Sequence, residues 1–225
     1  MLNLTNLTGF GGSGVIGTSG GADAFFVWGS RAEGQVGDGV TSGLPIDVPT
    51  QIDGGEDISI PSSSFSLSLS MGYLIEGVLS TVGDNSYGQG GLGDDIDRNV
   101  FTEVTALGSP ITDFAFGRDH SLTVRNGKVN GCGRNNKNQL TASSSSSFTY
   151  SIIVQPGAID GANAVSVYAS DASSAVLTNT NQVYVWGVSV GALTGSGSDI
   201  DEPLNIDEFR ATNSLVDKSI VDFAM

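Results

Sequence analysis

The chain has 225 residues, with 24 acids against nine bases and a formal net charge of −15. Hydrophobic residues at 39% rule out a disordered chain, while 32 glycines and only 15% charged residues fit short strands joined by glycine turns better than helices. So acidic a surface argues against sequence-independent nucleic-acid binding, because a phosphate backbone would be repelled; solubility, calcium or a basic protein patch are the remaining reasons for the charge. Cys132 stands alone, which excludes an intrachain disulfide and a cysteine-based zinc site; it reads as a small buried hydrophobe. No apolar run reaches membrane-spanning length, so no membrane insertion is expected.

Residues 1–24 form a compositional unit of their own. A short apolar alternation at Leu2, Leu4 and Leu7 leads into a glycine-rich arm with too few side chains for a core. The arm lacks the basic start of a secretory signal, so the acceptor patterns at Asn3 and Asn6 read as chance matches. Alone such an arm is expected to be mobile, and it becomes ordered only where something ties it down, either the chain's own sheet or a neighbouring subunit.

Residues 25–225 carry a repeat that can be phased on one glycine at the end of an apolar strand: Gly29, Gly83, Gly133 and Gly187, spaced by 54, 50 and 54 residues. The units span about 25–78, 79–128, 129–182 and 183–225. Trp28 and Trp186 stand at the same phase, which predicts equivalent packing between units. Five residues after the first three glycines come Gly34-Gln35, Gly88-Gln89 and Asn138-Gln139. Asn in place of Gly predicts a backbone position with positive φ, where Asn is the next most tolerant residue. The fourth copy has slipped by one residue and lost its Gln.

Later in each unit comes an alternating strand and then a hairpin. In the second unit these are Ile111 to Phe116 and His120 to Val124, with Asn126-Gly127 as the turn. In the third they are Ala164 to Tyr168 and Ser174 to Leu177, with the looser turn Asn179-Thr180-Asn181, which puts Ser174 in the place of His120. The first unit keeps Phe65 to Leu69 but needs five more residues before Gly83, which puts Phe65 in the histidine's place. The fourth ends on Ser219 to Met225, which matches Ile111 to Phe116. The five-serine run Ser143 to Ser147 reads as a flexible loop tip. No stretch sustains a helical period, so the fold class is all-β.

These residues resemble the regulator-of-chromosome-condensation (RCC) repeat family. The best copy supplies Gly83, Asn85, Gly88, Gln89, Leu92 and Gly93, then Gly117, His120, Ser121 and Leu122, and the likeness covers roughly residues 24–225. The resemblance implies four-stranded blades arranged as a β-propeller, seven blades in the family's full ring. Four units give an incomplete or oligomer-completed propeller of about four antiparallel blades, with a glycine-rich N-terminal arm that completes the fourth unit or reaches a partner. Open sheet edges invite pairing.

The chemistry-bearing residues are sparse. His120 is the only histidine, so one chain cannot assemble a Ser-His-Asp or paired-histidine site, and its place in the hairpin motif predicts a hydrogen bond to neighbouring backbone within a blade. Asp94, Asp95 and Asp97 follow Gly93, and Asp199 and Asp201 follow Gly197. Such carboxylates are weak calcium candidates, since both runs lack a complete calcium loop and suit solvated turns. The glycine run from Gly88 to Gly93 is not followed by a helix start or a Lys-Ser/Thr, so it reads as a blade turn and not a phosphate cradle.

No catalytic residue and no cofactor are expected. The features together predict a non-catalytic structural component of a large assembly, a phage or virus particle (capsid decoration, tail or fibre-associated), located in the virion. It would act through the arm, the sheet edges and loops 38–46, 93–100, 141–150 and 195–203, on protein neighbours that include copies of itself. The alternative follows the resemblance: a propeller that binds a small GTPase and promotes nucleotide exchange, or binds chromatin, in the cytoplasm or nucleus. A third reading is a carbohydrate-binding surface protein, although nothing brings two acids across a cleft.

Overall fold

The computed structural model describes residues 6–8, 15–17, 26–51, 58–59, 69–140, 145–153, 163–188 and 199–206. Among them there are sixteen strands and no helix. Three four-stranded antiparallel meanders follow one another. They are β5 (Ile58–Ser59), β6 (Ser70–Ile75), β7 (Val78–Gly83) and β8 (Arg98–Glu103); then β9 (Ile111–Phe116), β10 (His120–Arg125), β11 (Lys128–Asn135) and β12 (Ser145–Ile153); then β13 (Ala164–Ser170), β14 (Ser173–Thr178), β15 (Val183–Gly187) and β16 (Ile200–Asn205). Ahead of them β1 (Asn6–Thr8) pairs with β2 (Val15–Gly17), and β3 (Phe26–Gly29) pairs with β4 (Ile46–Gln51). β2 runs beside β3, so these two hairpins repeat the strand order of one sheet. Each later sheet takes two strands from one sequence unit and two from the next.

The core lies between successive sheets. Val27, Val36 and Ile46 of the first pack on Met71 and Val82 of the second. Leu74, Leu79, Val104 and Leu107 then meet Ile111, Phe114, Phe116 and Cys132 of the third. The largest junction joins the third to the fourth, with Leu122, Val124, Val129 and Leu140 against Val167, Val176, Tyr184 and Trp186. Inner strands are buried on both faces, as the run ITDFAF of β9 requires. Each large side chain fully withdrawn from water at these junctions contributes about 1.5–3 kcal/mol.

The four phasing glycines Gly29, Gly83, Gly133 and Gly187 have φ of 115°, 106°, 99° and 98°, and the register with the outer strand shifts at each. A Cβ at Gly83, Gly133 or Gly187 would strike the carbonyl oxygen of Leu69, Asp119 or Ala172, so only glycine fits this bend.

Three sequence expectations are corrected here. The first unit's hairpin is not offset by five residues: β6 and β7 meet across Glu76-Gly77, with φ of 51° and 78°, the counterpart of Asn126-Gly127 at 53° and 72°. Ser70 faces Gly83 as His120 faces Gly133, so Ser70 holds the histidine's place and not Phe65, which lies outside the described residues. In the fourth sheet Ser173 faces Gly187, because the turn at Asn179-Thr180-Asn181 is one residue longer. Ser174 is therefore the counterpart of Ser121. The serine run also enters structure, since β12 begins at Ser145: an outer strand is held by backbone pairing to β11, which any side chain allows. The strand expected at 219–225, Gly197 and most of 1–24 lie outside the described residues.

Candidate interaction surface

The repeat's glutamines set the turn after each third strand. The side-chain Oε1 of Gln35, Gln89 and Gln139 accepts the backbone N–H two residues earlier, from Glu33 at 2.8 Å, Tyr87 at 2.9 Å and Lys137 at 2.8 Å. The preceding residues Gly34, Gly88 and Asn138 have φ of 74°, 77° and 57°. Folded this way, the turn aims the glutamine's own carbonyl at the next sheet. Ser121 Oγ donates to Gln89 O at 2.6 Å, and Ser174 Oγ donates to Gln139 O at 2.6 Å. Trp186 Nε1 donates to the same Gln139 oxygen at 2.8 Å. Trp28, at the same phase, is only partly buried against the first junction, so the two tryptophans differ in partner as well as in burial.

His120 lies within this network and is wholly buried. Its Nε2 is 3.0 Å from Ser174 Oγ. The serine proton is committed to Gln139 O, so Oγ accepts from Nε2–H. The partner is thus a side chain of the next sheet, and the expected backbone bond within one sheet is replaced by a bond across two. Burial pushes the imidazole pKa down to about 4, so it is neutral at physiological pH. A serine beside a histidine suggests a nucleophile and its base, but neither atom is open to a substrate and no carboxylate orients Nδ1. Cys132 is equally withdrawn, and burial pushes its thiol up to about 12.

The first acidic run serves its own loop. Asn85 Nδ2 donates to the Asp94 carbonyl at 2.9 Å, to Asp94 Oδ1 at 3.0 Å and to Ile96 O at 3.2 Å, while Asp97 Oδ1 accepts Asn85 N–H at 2.7 Å. Arg98 bridges Asp94 Oδ2 at 2.6 Å, and this hydrogen bond is the main cause that holds the Asp94 carboxyl below its usual range. Asp95 is exposed. Asp199 is exposed at the phase of Asp97, and Asp201 lies in β16. Among the described residues no group of three or more His, Cys, Asp or Glu is arranged to hold a metal ion. The crevice between Thr81, Asp84, Asn85, Gly90, Leu92 and Arg98 has no room for a water molecule.

The meander puts the turn 117–119 and the loops after third strands on one side, here the loop face. The hairpins 76–77, 126–127 and 179–182 lie on the other, the hairpin face. On the loop face arginines are matched to acids: Arg31 with Asp38 at 2.5 Å, Arg134 with Asp119 at 3.0 Å, and Arg118 with Asp119 and Asp171, each at 3.8 Å. Arg134 also lies 4.7 Å above the Tyr87 ring. Sequence reasoning missed Asp113, whose buried Oδ2 accepts Val167 N–H at 2.8 Å and joins the third sheet to the fourth. The signal was available: an acid in the middle of an apolar strand needs a partner there.

No protein-family model matches the chain. Among solved structures, human WBSCR16 matches with a TM-score of 0.70 at 19% identity, over 89% of this chain and 51% of its own. Yeast RCC1 (Prp20), solved bound to Kap60, matches with a TM-score of 0.68 at 18% identity, over 91% and 49%. The fold is that of an RCC1-type β-propeller. Prp20p of Saccharomyces cerevisiae, described with its binding properties to Gsp1p and histones, gives 0.67 at 18% identity, over 91% and 50%. The chain spans about half the length of these propellers, and its four successive sheets correspond to blades.

These matches favour the RCC-type alternative and overturn the expectation of a virion component, and they give the virion location no support. Among the described residues no helix is long and apolar enough to cross a membrane.

Proposed function

We propose that this chain is a protein-docking propeller of the RCC1 type, which engages a small GTPase and acts on its nucleotide exchange without making or breaking bonds in its own side chains. The observation that carries this reading is the likeness of fold to yeast Prp20, a protein with binding properties to Gsp1p and histones, across 91% of this chain. The motif residues support it from the other side. His120, Gln89, Gln139 and Ser174 are buried between blades, which leaves recognition to the loop and hairpin faces. The reading carries a cytoplasmic or nuclear location with it. The chain on beads, offered a panel of small GTPases with and without nucleotide, should retain one preferentially in its nucleotide-free form. Retention of none removes the GTPase reading.

A second reading, a basic chromatin protein as partner, is favoured by the net charge of −15. Core histones in the same experiment test it. Retention lost at moderate salt and absent for acidic control proteins is expected, and salt-insensitive or absent retention counts against it.

A further inference from the structure

The hairpin of the third blade has a chemistry that those of the second and fourth lack. At the root of each two-residue turn the last pair of facing residues points to one side of the sheet. In the second blade that pair is Ile75 and Val78, and in the fourth the residues at the same phase are Thr178 and Gln182, joined by a bond from Thr178 N–H to Gln182 O at 2.9 Å. In the third blade it is Arg125 and Lys128, two cations directly opposite each other. Like charges at facing positions destabilise a sheet. In a chain with 24 acids to nine bases, two cations at facing positions are the more unusual. Among the described residues neither cation forms an ion pair, although Glu76 and Glu103 of the neighbouring blade lie on this side of the propeller.

The guanidinium also packs over a glycine. Gly108, at φ 66° in the link from the second blade, leaves space that a side chain would fill: a Cβ there would sit 3.1–3.4 Å from the Nη2, Cζ and Nε atoms of Arg125. Arg125 Nε is buried and has no hydrogen-bond partner. A buried donor left open costs stability, and a fold that tolerates both this and a facing cation departs from local rules where function is commonly found.

We propose that the Arg125–Lys128 hairpin root is an anion-docking point on the hairpin face that receives a carboxylate from an acidic segment of the protein partner. Arg125 supplies a half-buried guanidinium whose terminal nitrogens can donate to an oxyanion, and Lys128 adds an exposed point charge beside it. A protein carboxylate is favoured over a nucleic-acid phosphate because the rest of this surface repels a polyanion, while one acidic side chain reaches the pair without meeting that field at length. This inference rests on the protein-docking reading above and names where such a partner's acidic element binds.

The test replaces the pair with the residues of the second blade, Arg125→Ile with Lys128→Val, in the full chain. Fluorescence anisotropy with a labelled peptide carrying one glutamate among neutral residues, its glutamine counterpart and inorganic phosphate as competitor reads binding; thermal melting reads stability. The expected result is binding of the acidic peptide over the neutral one, weakened about tenfold or more in the double variant. The melting temperature should meanwhile rise by about 1–3 °C, as the unpaired charges are removed. Equal binding of both peptides, unchanged binding in the variant, or a fall in melting temperature would each overturn the proposal. So would phosphate displacing the peptide at concentrations below the peptide's own. The GTPase retention assay is separate. Peptide binding without retention sinks the GTPase reading alone, and retention that survives the double variant sinks the hairpin inference alone.

Discussion

The junction between the first and second blades and the junction between the third and fourth use the same repeat positions with different chemistry. At the third-to-fourth junction a polar chain runs from His120 through Ser174 to Gln139 O, where Trp186 also donates, and Asp113 adds a bond to Val167 N–H. At the first-to-second junction the counterpart of Ser174 is Met71 and the counterpart of Trp186 is Val82, both packed in an apolar cluster with Val27 and Val36. The polar link there has moved outward, to a reciprocal pair in which Asn99 O accepts Gly39 N–H and Asn99 Nδ2 donates to Gly39 O, each at 2.8 Å. The repeat thus conserves spacing and turn geometry while the bonding between blades is free to vary. Apolar contact tolerates changes of shape, but a buried polar chain fails when one member is removed.

The difference can be broken most strongly at the tryptophans. Trp186→Ala removes a fully buried indole and leaves Gln139 O with one donor fewer, and should cost about 3–5 kcal/mol in denaturant unfolding. Trp28→Ala, at the same phase but partly exposed, should cost less than half as much. Equal losses would mean that the junctions are not distinct.

Acid should separate them next. The folded His120 pKa of about 4 lies below the ordinary 6.5, so the folded form stays neutral while the unfolded chain takes up a proton. Its contribution is therefore complete above about pH 6.5 and is lost as pH falls toward 4, on the order of 3 kcal/mol in all. Unfolding measured across that window, with His120→Gln as reference, should show this loss in the wild type and not in the variant. Parallel curves would contradict the assignment of a buried neutral imidazole.

Serine replacements give a finer contrast. Ser121→Ala removes one bond to Gln89 O and should cost about 1 kcal/mol, whereas Ser174→Ala also strips His120 Nε2 of its acceptor and should cost about 2 kcal/mol or more. Chemical denaturation of the two variants side by side decides this. The smallest effect is expected for Asn138→Gly, where relief of the left-handed backbone is offset by added chain entropy, so the midpoint should move by less than about 1 kcal/mol.

Much of the architecture was legible because its demands are backbone demands. Gly83, Gly133 and Gly187 mark a bend that no side chain survives, Gly29 shares its positive φ, and the Gly-Gln and Asn-Gln turns repeat at fixed distance from it. The hairpin of the second blade was misread because Glu76 takes a left-handed conformation that glutamate seldom signals, and the error displaced the histidine's counterpart from Ser70 to Phe65. One extra residue in the turn 179–181 moved it from Ser173 to Ser174. The inter-blade bonds were harder still. Ser121, Ser174 and Asp113 find their partners 32, 35 and 54 residues away, and no local pattern reports such a distance. The cation pair at Arg125 and Lys128 stands out only once the register shows them facing each other.

The central claim is that this RCC1-type fold works by docking a small GTPase and has its own motif residues sealed between blades. Release of a fluorescent nucleotide from the GTPase it retains, followed with wild-type chain and with Ser174→Ala at a temperature where both are folded, tests it most directly. The account predicts accelerated release by the wild type and the same acceleration by the variant, since Ser174 touches no partner. No acceleration by either protein, or its loss in a folded Ser174→Ala variant, would contradict it.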